Sequence, residues 1–86
     1  MHRQPLLQWT LRHGHDALTC QVRALSAHVF DVSVVPHWNH ASAVRQRFQS
    51  ANEAVRRHAE IVAMLRERGW NATEYRHARP TGITAA

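Results

Sequence analysis

Apolar and polar residues alternate along the first half of the chain. Leu7, Trp9 and Leu11 fall on one side of "LLQWTLR", Leu18, Cys20 and Val22 on one side of "ALTCQVRAL", and Phe30, Val32 and Val34 on one side of "HVFDVSVV". Successive side chains of an extended backbone point to opposite faces, so each segment reads as a strand with one apolar face. The connections "HGHD" and "LSA" read as turns, the first supplied with the glycine and aspartate that tight turns favour.

"ASAVRQRFQS" fits a fourth strand or the start of a helix, and cross-strand matching decides for the strand. A turn around Asn39 that folds it antiparallel onto the third strand sets Val44 against Val34, Phe48 against Phe30 and Arg47 against Asp31. A single register satisfies all of these pairs. "SANE" then opens a helix near Ala51, with Ser50 as its cap and Glu53 placed to complete a capping box. Along "ANEAVRRHAEIVAMLRERG" helical spacing gathers Ala54, Val55, Ile61, Val62 and Leu65 on one face, with Glu53, Arg56, Glu60 and Glu67 on the other. Gly69 stops the helix in the left-handed position, and Trp70 folds back onto its last turn.

The expected fold is α+β, a four-stranded antiparallel meander with one helix packed across one face (ββββα), formed by residues 1–70. Residues 71–86 are expected to be a C-terminal tail, in which "NATEYR" offers a short edge strand and "HARPTGITAA" is too polar to pack. In topology the order resembles one repeat of the Pur-alpha or whirly single-strand-binding folds, in which two such units combine. That resemblance assigns no residue of this chain a role.

A chain of 86 residues makes one domain with a small core. A homodimer, formed through an edge strand or the uncovered flank of the helix, would supply the burial such a core lacks. The 11 basic residues are all arginine and outnumber 6 acidic ones, for a formal charge of +5 that draws polyanions at low salt. The arginine bias fits a GC-rich coding sequence as well as bidentate phosphate contact. Cys20 is the one cysteine and sits on a strand's apolar face, so it reads as buried packing in a reducing compartment. With no signal-peptide pattern and no apolar run of membrane-spanning length, the expectation is a small bacterial-type cytoplasmic protein without membrane contact.

Candidate chemistry lies in three places. The turns "HGHD" and "VVPHWNHAS" fall at one end of the meander and carry His13, His15, His37 and His40, with Asp16 and Trp38 beside them. Neutral imidazoles in that number could hold zinc or another divalent transition metal, although no established ligand spacing is present and no cofactor is required. Trp38 reads either as a plug at the end of the core or as an anchor for a protein partner. The sheet's outer face carries Arg12, Arg23, Arg45 and Arg47; with Arg47 matched to Asp31, the cations left for nucleic acid are Arg12, Arg23 and Arg45. The outward strand positions hold no aromatic residue for base stacking.

No glycine-rich phosphate cradle and no nucleophile beside a base appears, and Glu53, Glu60 and Glu67 form a solvated helix face. His58, on the apolar stripe, reads as a satisfied, partly buried histidine. The expectation is therefore a non-enzymatic binding module, foremost a homodimer acting through protein contact, then a nucleic-acid binder, then a metal binder.

Overall fold

The computed structural model describes residues 5–77. Strands β1 (Leu7–His13), β2 (Asp16–Ser26), β3 (Val29–Pro36) and β4 (Val44–Phe48) are followed by helix α1 (Ala51–Glu67) and strand β5 (Asn71–His77). They form one antiparallel sheet in the order β4-β3-β2-β1-β5.

Local sequence explains each junction. The β1–β2 hairpin closes over two residues between the paired His13 and Asp16, and Gly14 takes φ 61° there, the left-handed value that a tight hairpin turn demands. Asn39 organises the β3–β4 connection: its Oδ1 accepts from the Ala41 N–H at 3.2 Å and its carbonyl accepts from the Ser42 hydroxyl at 2.9 Å. The register that follows is the one read from the sequence, with Phe30 opposite Phe48, Asp31 opposite Arg47 and Val34 opposite Val44.

Helix α1 is bounded by its own side chains and cap. Ser50 Oγ accepts from the Glu53 N–H at 3.4 Å and starts the helix. At the other end Gly69 has φ 96°, its N–H donates to the Arg66 carbonyl at 3.1 Å, and the Trp70 N–H reaches back to the Leu65 carbonyl at 3.0 Å. Those paired bonds are a Schellman stop, which turns the chain sharply back toward the sheet.

The core lies between α1 and the strands, where Leu11, Leu18, Cys20, Val22 and Val32 meet Ala54, Ile61 and Val62. The buried helix stripe is Ala54, His58, Ile61 and Val62. Val55, expected on it, stands 40 % exposed at its margin, and His58 takes the inward place instead. Arg57 Nε donates to Gln46 Oε1 at 2.9 Å and ties the helix to β4.

The sheet has five strands where four were expected. Asn71–His77, assigned to a tail with an optional edge strand, pairs with β1 from Leu7 to Arg12. The helix stop delivers the chain to that open edge, where Ala72 falls opposite Leu11 and Tyr75 opposite Trp9, so the strand's few apolar residues meet apolar neighbours. A bulge between Thr10 and Leu11 interrupts the pairing, and Thr73 Oγ1 donates to the Thr10 carbonyl at 3.2 Å beside it. The strand after the helix also lies outside the ββββα order of the folds that the topology resembles. The loose tail expected beyond His77 lies outside the described residues. Among those described, no helix is long and apolar enough to cross a membrane.

Candidate functional site

Pairing fixes which side chains share the sheet's outer face. Arg76, Gln8, Gln21, Ser33 and Arg45 follow one another across the strands in one row, and Arg23, Asp31 and Arg47 form another. Arg12, next to Asn71 and Ala17, belongs to the same face. Helix α1 packs on the opposite side, and no described element covers this one. Arg12, Arg45, Arg47 and Arg76 are exposed, whereas Ser33 and Asp31 are buried beneath their longer neighbours.

Asp31 chooses Arg23, not Arg47. Arg23 Nη2 lies 3.0 Å from Oδ2 and its Nε donates to Oδ1 at 3.3 Å, a two-point contact within the interior of the sheet. Arg47 faces the same carboxylate from the edge strand, where water competes more effectively. The expected assignment is thus reversed: Arg23 is engaged, and Arg47 joins Arg12 and Arg45 as an available cation.

The histidines at the turn end separate onto two faces. His13 continues the inward series of Trp9 and Leu11, and its ring packs 5.5 Å from that of Trp70. His37 shares a 2.8 Å hydrogen bond with Thr19 Oγ1 on the outer face. The sheet therefore stands between His13 and His37. His40 lies in the exposed helical turn His40–Ser42, and His15 sits beside Arg12. Among the described residues no group of three or more His, Cys, Asp or Glu could hold a metal ion.

Trp38 is 57 % exposed and stacks on Trp70, ring centroids 6.3 Å apart and planes 20° from parallel. Trp70 thus contacts two rings at this end of the sheet, those of His13 and Trp38. The same Trp38 lines a corner pocket with Arg12, His15, Asp16, Ala17 and His37. The His37 N–H donates to the Ala17 carbonyl at 2.9 Å, extending the β2–β3 pairing past Pro36 and carrying the turn to that corner. Trp38 thus stands at the end of the sheet, between the core-packed Trp70 and the corner it shares with Arg12 and His37. Carrying the alternation from Val35 through Pro36 places His37 on the outer side and points Trp38 the other way, toward Trp70.

Two buried groups have structural duties. Burial pushes the Cys20 thiol up to about 12, so it stays protonated and unreactive. His58, 3 % exposed, donates from Nε2 to the Cys20 carbonyl at 3.1 Å. Burial lowers its pKa below the ordinary 6.5, and the bond to Cys20 opposes that shift only in part. Below pH 6.5 the unfolded chain therefore binds this proton more readily than the folded one, and stability falls as pH falls. Thermal melts from about pH 7.5 down to about pH 5 should show that decline, flattened in His58→Gln, which keeps a donor for the carbonyl. Equal slopes in both proteins would exclude His58 as its source.

Between α1 and the β1–β5 side of the sheet runs an open groove lined by Leu7, Trp9, Val55, Val62, Ala72 and Tyr75. Comparison with protein-family models, with curated proteins and with solved structures finds no match to this chain.

Proposed function

We propose that this chain is a non-enzymatic binding module that works as a homodimer, and that its ligand is a single-stranded nucleic acid lying across the outer face of the sheet. The observation that carries this reading is a set of exposed arginines, among them Arg12, Arg45 and Arg47, on a face that no described element covers, with Trp38 at its corner. Guanidinium groups hold phosphates through paired N–H donors, and an indole offers a stacking surface that any base can use. Among the described residues the one long helix lies on the other side of the sheet, so this face offers no helix to a duplex major groove and the single strand is the better fit.

The test is fluorescence anisotropy of labelled single-stranded and duplex oligonucleotides across a salt series. Three phosphate contacts at ~0.7 counterions each give a slope of about −2 for log affinity against log salt on single strands. Arg45→Ala with Arg47→Ala should leave a slope of about −0.7. Binding confined to low salt, or equal for single strands and duplexes, would reduce the arginines to a solvated surface.

A second reading, action through protein contact alone, is favoured by the apolar groove and its exposed Val55 and Tyr75. Association of that kind should persist at moderate salt. The partner it fits is another copy of the chain.

A further inference from the structure

β5 closes the sheet on the side away from β4, and its outward edge pairs with no described strand. From Thr73 to His77 every residue is exposed, so that edge presents backbone donors and acceptors to water and invites a further strand. The charges on β5 decide which strand fits.

Past the bulge, Glu74 and Arg76 lie on the outer face beside Thr10 and Gln8, while Tyr75 lies on the helix side beside Trp9. A second β5, antiparallel and centred on Tyr75, sets Glu74 opposite the partner's Arg76, and by symmetry Arg76 opposite the partner's Glu74. Residues directly opposite share a face, so both pairs meet on the outer side and the two tyrosines meet on the helix side. Centring the pair on Glu74 opposes two carboxylates, and centring it on Arg76 opposes two guanidiniums. The Tyr75 register alone is complementary among these.

The other edge behaves differently. Full overlap of β4, Val44–Phe48, with its own copy centres on Gln46 and sets Arg45 against Arg47 twice. Like charges directly opposite disfavour that pairing, so β4 is guarded and β5 is not.

Tyr75 adds an apolar reason. It packs 4.7 Å from Trp9 yet remains 45 % exposed, at the margin of the groove beneath α1. A second β5 beside the first continues the floor of that groove and covers Tyr75 with its own counterpart.

We propose that two copies of this chain join edge to edge through β5, antiparallel about a two-fold axis at Tyr75, with Glu74 of each facing Arg76 of the other. The inference rests on the dimeric part of the function proposed above and does not depend on the nucleic-acid part. The joined sheets carry both outer faces on one side, so Arg12, Arg45 and Arg47 of the two copies share one platform. Association closes at two chains because the remaining edges are the guarded β4 strands.

The experiment is light scattering on the full chain over a concentration series, with Glu74→Arg, Arg76→Glu and the double variant, each checked for folding by circular dichroism. The wild-type chain should show the mass of two copies. Each single variant should raise the dimer Kd at least about tenfold by setting like charges opposite, and the double variant should restore it. If either single variant fails to fold, the other creates the same repulsion and decides the question. A one-chain mass at every concentration overturns the dimeric reading and this inference together. A wild-type dimer indifferent to both single variants, or one that the double variant does not restore, overturns the β5 register and leaves dimerisation standing on another surface. A mass above two chains also overturns it.

Discussion

Leu11→Ala should lower the unfolding free energy by about 3 kcal/mol. Leu11 is 0 % exposed and lies on β1, with Leu18 opposite on β2 and Ala72 opposite on β5. Truncation removes the transfer energy of its side chain and leaves a cavity among strands that hydrogen bonds hold at fixed spacing, so the neighbours collapse into it only partly. A domain of this size has a total stability of roughly 5–10 kcal/mol. The loss is thus a large share of the whole and should appear in circular-dichroism melts as a fall of about 15 °C. Val55→Ala provides the contrast: Val55 is 40 % exposed at the groove margin, and its truncation should cost no more than about 0.5 kcal/mol. Comparable losses in the two variants would mean that the core is not organised around β1.

The pattern that places Leu11 in the core is visible before any coordinates. Alternation located β1 to β3, matched cross-strand pairs located β4 and its register, and Ser50 and Gly69 marked the ends of α1; of the expected capping box only the Ser50 half forms, since the Glu53 side chain does not return the bond. β5 was legible only in outline, because Ala72 and Tyr75 are its only clearly apolar side chains and the bulge breaks their alternation. Its place is set by the helix stop and the open β1 edge, which are tertiary circumstances. The choice of Asp31 between Arg23 and Arg47 was not legible either: both stand opposite it, and only the depth of each strand in the sheet separates them. The histidine cluster is a different case. Leu11 faces inward and so does His13, while Val35 and His37 face outward, so the same alternation that identified the strands already separates those rings. Nearness of two turns at one end of a sheet is not convergence on one face.

Trp38→Ala should weaken binding to single-stranded oligonucleotides about tenfold while leaving the salt slope unchanged. The indole contributes no charge, so its removal forfeits stacking, ~1–3 kcal/mol per base, without releasing fewer counterions. Arg45→Glu with Arg47→Glu should act on the other quantity. Each reversal removes a phosphate contact at ~1 kcal/mol or more and adds a repulsion, giving about a hundredfold loss at low salt together with a flattened slope. The two signatures differ because Trp38 stands at the end of the sheet, at the corner it shares with Arg12, whereas Arg45 and Arg47 stand on the edge strand. Trp38 also stacks on Trp70, which packs against the core, so a melt of Trp38→Ala must accompany the titration. At 57 % exposure its loss should move the melting temperature by no more than a few degrees, and the affinity change is then one of contact, not of folding. If Trp38→Ala leaves affinity untouched while the arginine variant abolishes it, the outer face is an electrostatic surface that holds the phosphate chain and does not touch the bases. If Trp38→Ala weakens binding and the arginine variant does not, the ligand sits in the corner pocket and does not extend across the sheet.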